Sequence, residues 1–174
     1  MDLETLKIDL DRLDDGLTQL SFDLDDSFFE AVEAPDVQKG NVHVDIDVVR
    51  AEDDFFNLSF HGTGNVIVPC DRCLDDMEQP ISFEQQLNAK FGKENSEDDD
   101  LVTVAEDEGI LDVAWLIYEF IELAIPIRHV HAPGKCNPAM IRALNEHSAA
   151  RSGEEGETSV DPRWAALNKL NFKN

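Results

Sequence analysis

Cys70-Asp71-Arg72-Cys73 is the sharpest chemical feature of the chain. Two cysteines separated by two residues, just after the apolar run Val66-Ile67-Val68-Pro69, can aim both thiolates at one tetrahedral metal ion. A third cysteine, Cys136, closes the stretch His129-Val130-His131-Ala132-Pro133-Gly134-Lys135-Cys136. Cys70, Cys73 and Cys136 with His131 would complete a closed site of three sulfurs and one imidazole, the structural kind, with one zinc as cofactor. His129 is the alternative fourth ligand, because residues two apart on an extended segment point the same way. Two other chemistries stand beside zinc. The cysteines can be reduced and buried as small apolar side chains. Alternatively, Cys70 and Cys73 can form a redox couple, although no βαβ unit surrounds them and Arg72 is the one nearby cation to lower a thiolate pKa.

Catalytic signatures are missing. The chain contains no Gly-x-x-x-x-Gly-Lys loop, no Gly-x-Gly-x-x-Gly and no Gly-x-Ser-x-Gly. Carboxylates are too numerous for an acid–base pair to stand out, and His43, His61 and His147 are isolated along the chain. The expectation is a protein that is not an enzyme and has no small-molecule substrate.

The elements that must position the cysteines read first as sheet. Leu20, Phe22 and Leu24, then Val42, Val44, Ile46 and Val48, then Phe56, Leu58 and Phe60, then Ile81, Phe83, Leu87, Ala89 and Phe91 follow a two-residue period, with Gln85 interrupting the last run. Such alternation buries one face and wets the other, as in an antiparallel meander or barrel-like sheet. Ser27-Phe28-Phe29-Glu30 has capping-box spacing and predicts a short helix stopped by Pro35. Lys93 to Asp112 carries nine acids against one lysine and reads as an acidic loop over 93–112, with Leu101 to Val104 as a short strand within it. Asp112 then caps an apolar helix from Val113 to about Ile125, ended by Pro126, which would cover the sheet. Asn137-Pro138 opens a further helix to about Ala150. The expected class is α+β: an antiparallel, barrel-like sheet covered by a long apolar helix, with a short C-terminal helix. One domain would span 1–150, a polar linker 151–160, and a helical segment 161–174, with Trp164, Leu167 and Leu170 on one face.

Charge is the other strong signal. Lys and Arg number 14 and Asp and Glu 38, for a formal net charge of −24, yet 42% of residues are hydrophobic, too many for a disordered acidic chain. Three cysteines do not make a secreted disulfide scaffold. Met1-Asp2-Leu3-Glu4 lacks a basic or apolar leader, and Val113 to Ile127 is too short and too charged to span a bilayer, so the expected location is the cytoplasm, away from membranes. The acid is concentrated before residue 127, while Ile127 to Asn174 holds seven bases and five acids. Uniform contact between the acidic body and nucleic acid is disfavoured, but the basic, tryptophan-bearing end could meet RNA phosphate or a partner through Arg163, Trp164, Leu167 and Lys169. The plainer alternative is that this end packs onto its own sheet.

Three stretches together resemble the YceD family, whose members are also called large ribosomal RNA subunit accumulation proteins. They are Val68-Pro69-Cys70-Asp71-Arg72-Cys73-Leu74, Ile125-Pro126-Ile127-Arg128-His129-Val130-His131 and Asp161-Pro162-Arg163-Trp164-Ala165-Ala166-Leu167. The resemblance covers nearly the whole chain in order and spacing, and its most telling part is the terminal Asp-Pro-Arg-Trp-x-x-Leu followed by Lys169-Leu170. It implies a non-enzymatic role in making the large ribosomal subunit, through accumulation or processing of 23S rRNA, and a gene beside that of ribosomal protein L32. Many relatives carry a second cysteine cluster after the helix. Here that region reads His129, His131 and Cys136, which leaves zinc only mixed ligands. With that role, the acidic segment around Asp98, Asp99 and Asp100 would engage a basic ribosomal protein while the C-terminal segment approaches large-subunit rRNA or its precursor. The competing classes are a zinc-binding or redox-active Cys-x-x-Cys protein and an acidic interaction module with no ribosomal role.

Overall fold

The structure is a computed structural model of the 174-residue chain and describes residues 1–13, 16–51, 55–98 and 101–148. By its internal contacts the chain divides into two compact units, Met1–Ile141 and Arg142–Asn174. The expected linker 151–160 and helical segment 161–174 lie outside the described residues.

Eight strands form two sheets. In chain order they are β1 (Lys7–Asp9), β2 (Leu17–Leu24), β3 (Gly40–Arg50), β4 (Phe55–Pro69), β5 (Asp76–Gly92), β6 (Ser96–Asp98), β7 (Leu101–Ala105) and β8 (Ile110–Asp112). The larger sheet has the order β2-β3-β4-β5-β7-β6, and β1 and β8 form a separate antiparallel pair. All neighbours in the larger sheet are antiparallel except β5 and β7, which run parallel from Asn88↔Leu101 to Gly92↔Ala105. The two-residue period is realised as expected: Val42, Val44, Ile46, Val48, Phe56, Leu58 and Phe60 are buried, while His43, Asp45 and Asn57 face outward. Within the segment expected as an acidic loop, the strand foreseen at Leu101 to Val104 is β7, flanked by the short β6 and β8.

The α+β expectation is corrected in its main terms. The molecule is mostly β, its larger sheet is open rather than barrel-like, with β2 and β6 at the edges, and no long apolar helix covers it. The helices are short: α1 (Asp26–Ala31), α2 (Ala114–Leu123) and α3 (Pro138–His147). The Val113–Ile125 pattern overstated α2 because its flanking apolar residues belong to other geometry. Asp112 ends β8, and Ile125 precedes Pro126, whose ring disfavours helical backbone in the residue before it. Cover for the apolar face is therefore assembled from pieces. Leu6 and Leu10 come from two 3₁₀ turns at Leu3–Leu6 and Leu10–Arg12, Phe28 and Phe29 from α1, and Leu116, Ile117, Tyr118 and Ile121 from α2. The Phe120 ring meets Phe60 edge-on at 5.1 Å and Phe83 at 6.1 Å, which seats α2 on β4 and β5. Gly62 leaves the space for this: a Cβ there would lie 2.2 Å from the Phe83 ring.

Capping shifts by a residue or two from expectation. Asp25, not Ser27, caps α1, its carboxylate accepting from the Ser27 backbone N–H at 2.9 Å. Asp112 accepts from Ala114 N–H at 3.0 Å and so serves the start of α2 from one residue further back. Asn137 opens α3 as expected, accepting from Ala139 N–H at 2.9 Å. Among the described residues no charged or polar residue is buried, and no helix is long and apolar enough to cross a membrane.

Candidate metal centre

Cys70 follows the last residue of β4, and Cys73 sits three residues before β5 begins. The turn between them closes through Leu74 N–H to the Cys70 carbonyl and Cys70 N–H to the Asp75 carbonyl, both 2.9 Å. Closure puts Leu74 at φ 65°, a left-handed backbone that a leucine adopts at a cost of about 1 kcal/mol. The second half arrives after α2. Pro126 stops that helix, and the extended stretch behind it lies against the turn, with Asp71 N–H donating to the His129 carbonyl at 3.0 Å and His129 N–H donating to the Asp71 carboxylate at 2.8 Å.

This pairing separates the two histidines. The His129 ring is taken up at Nδ1 by the Pro126 carbonyl, 3.0 Å away, and at Nε2 by Asp71, 3.5 Å away. His131, two residues on, places its Nδ1 3.4 Å from the Cys73 sulfur. One donor atom from each of Cys70, Cys73, His131 and Cys136 lies within 4.8 Å of the other three. Four-coordinate zinc, at a Zn–S distance of ~2.3 Å, holds its thiolates about 3.8 Å apart, so the spacing and the donor chemistry fit that ion. These four residues would hold it, and an ion with four protein donors has no open position for a substrate. Asn137 braces the edge of the cluster, its Nδ2 donating to Asp75 at 3.1 Å.

Protonation in the cluster follows the same geometry. Burial pushes the Cys70 thiol up, but the backbone N–H groups of His131, Arg72 and Cys73 and the His131 side chain outweigh it, and the thiol falls from 9.0 to about 6. The N–H groups of His131 and Arg72 stand 3.4 and 3.5 Å from its sulfur. Cys136 moves the other way, to about 11, because it is desolvated and because Cys70 and Cys73 supply hydrogen bonds and negative charge beside it. Adjacent thiolates of this kind repel one another until a cation joins them.

The structure thus brings together Cys70, Cys73, His131 and Cys136 and sets His129 aside as their brace. Of the residues assigned to partners, Asp98 ends β6, whereas Asp99, Asp100, Arg163, Trp164, Leu167 and Lys169 lie outside the described residues. Sequence reading missed Asp71 and Asp75. Both look like ordinary surface acids, and their partners His129 and Asn137 are 58 and 62 residues away. An acid inside the cysteine loop, facing a two-histidine segment, was the one available signal for Asp71.

A mostly β protein with a thiol–imidazole cluster clasped to a hairpin end is the class that the fold and the site define. The family pattern described as large ribosomal RNA subunit accumulation protein YceD matches residues 58–171, and the chain belongs to that family. The chain is also similar to the uncharacterized protein YlbN of Bacillus subtilis (strain 168), 28% identical over 114 residues, or 66% of this chain and 65% of that one. The chain therefore covers just under two thirds of that relative's length. No solved structure matches the chain.

Proposed function

We propose that this chain is a non-catalytic factor in assembly of the large ribosomal subunit, working in the cytoplasm to support 23S rRNA accumulation or processing. The observation that carries this reading is the family match over residues 58–171, a span that includes both halves of the cysteine–histidine cluster. Cys70, Cys73, His131 and Cys136 hold one structural zinc, whose role is to join the β4–β5 turn to the segment after α2. The acidic body, at a chain charge of −24, attracts a basic ribosomal protein such as L32 and shields it before it meets RNA. Depletion of the protein, followed by sucrose-gradient profiles and 23S quantification, tests the role: large-subunit precursors should accumulate and mature 23S should fall. Unchanged profiles and 23S levels reject it. Metal analysis of the purified chain should return one zinc per molecule.

A redox reading of Cys70 and Cys73 is favoured by one observation, the lowered Cys70 thiol at about 6. Burial of both sulfurs opposes it. Purified protein that lacks metal and forms a reversible Cys70–Cys73 disulfide would support that reading.

A further inference from the structure

Arg72, Arg128 and Lys135 are exposed, and among the described residues none of them makes an ion pair. Lys39, Lys90, Lys93 and Arg142 also lack an ion pair among the described residues; what sets Arg72, Arg128 and Lys135 apart is that they lie close in sequence to members of one cysteine–histidine cluster. They are also held in fixed relation. Arg72 sits between Asp71 and Cys73, Arg128 precedes His129, and Lys135 precedes Cys136, so the Asp71–His129 bonds and the donor cluster lock their backbones together. Two aliphatic side chains stand in water on the same segments: Leu74 is 68% exposed and Ile127 fully so.

The local charge departs from that of the body. Segments 70–74 and 126–136 contain these three bases and a single acid, Asp71, whose carboxylate already accepts the His129 N–H. Asp75 and Asp76 lie just beyond the turn, and the Asn137 amide that reaches Asp75 leaves its charge in place. A divalent ion on three thiolates contributes one negative charge, which leaves the two segments at a formal +1 and, with Asp75 and Asp76 counted, the corner at about −1 in a chain of −24. Repulsion from the acidic body decays over about 8 Å at physiological ionic strength, so a polyanion at the corner meets the nearby cations first.

We infer that this metal-braced corner is an RNA-binding surface, in which Arg72, Arg128 and Lys135 contact the phosphates of a single-stranded segment while Leu74 and Ile127 pack against its sugars and bases. The inference rests on the ribosome-assembly reading and names the part of the molecule that touches RNA. Cations positioned by a rigid frame, with aliphatic groups between them, suit a strand that offers regularly spaced phosphates and apolar base faces. The metal's part is positional: it sets the distance between the two segments.

The full chain, loaded with zinc, is titrated with a short fluorescein-labelled single-stranded RNA of mixed sequence, and in parallel with polyglutamate. The variant R72Q/R128Q/K135Q, checked for zinc content and native circular dichroism, should bind the RNA roughly tenfold or more weakly, and its slope of log affinity against log salt should fall by about 2, three contacts at ~0.7 each. The variant R163Q/K169Q should keep most of the affinity. A zinc-loaded triple variant that binds like the native chain overturns the inference, as does loss confined to R163Q/K169Q, or native protein that takes polyglutamate and not RNA. Co-sedimentation separates the two levels of failure. A native chain that sediments with large-subunit precursors but binds no RNA at this corner sinks the inference alone, and one that does neither sinks the assembly reading too.

Discussion

The outer face of the large sheet and the corner around Cys70 use their polar groups differently. On the sheet, polar groups find partners across neighbouring strands: His43 bonds Asp23 at 2.7 Å and Ser21 at 3.3 Å, and Gln19 bonds Asp47 at 2.8 Å. The Asp23 hydrogen bond raises the His43 pKa, with the Asp45 and Asp23 charges adding to it. At the corner, Asp71 accepts from the His129 backbone and Asp75 from the Asn137 side chain, and Arg72, Arg128 and Lys135 are left to the solvent.

If the corner is organised by a metal and the sheet by apolar burial, perturbing one should spare the other. The largest expected effect is His131→Ala, which removes a ligand and should cut zinc affinity by more than 100-fold, whereas His129→Ala removes only the brace and should cost roughly 10- to 100-fold. Chelator competition measures both, and equal losses would erase the distinction between the two histidines. Gly62→Val is the converse experiment. It drives a side chain into the Phe83 ring and should destabilise the sheet by about 1–3 kcal/mol in a urea melt, with zinc content unchanged.

Acid acts on the corner through its thiolates. Cys70 is the case of a depressed folded pKa: its thiolate contributes fully above the ordinary value of 9.0, and that contribution is lost as pH falls through about 6. Bound zinc competes with the proton for that sulfur, so zinc release, followed with a colorimetric chelator, should rise on acidification below that value, with β3 and β4 amide protection still in place. The smallest expected effect is Leu74→Gly. Relief of the φ 65° backbone should leave stability unchanged or raise it by less than about 1 kcal/mol. Thermal melts of the zinc-loaded form decide this.

The same contrast governs what the sequence discloses. The alternating residues of β3 and β4 were legible because a two-residue period states directly which face is buried. The four donors were legible as a set because cysteine is rare and its spacing characteristic. The choice of His131 over His129 was not, since it depends on Asp71 and the Pro126 carbonyl reaching His129. The cover of the sheet was misread as one long helix because apolar content does not show where backbone geometry changes, at Asp112 and Pro126. The parallel β5–β7 pairing leaves no local mark at all, since register between strands is set by tertiary contact.

The β4–β5 ladder runs from Phe55↔Lys90 to Pro69↔Asp76, with the cysteine turn at one terminus and the β6–β7 strands beside the other. Fifteen residues of strand give a contour of about 50 Å, several screening lengths at physiological ionic strength. The ladder is thus a spacer, long enough that charges placed at its two ends do not feel one another.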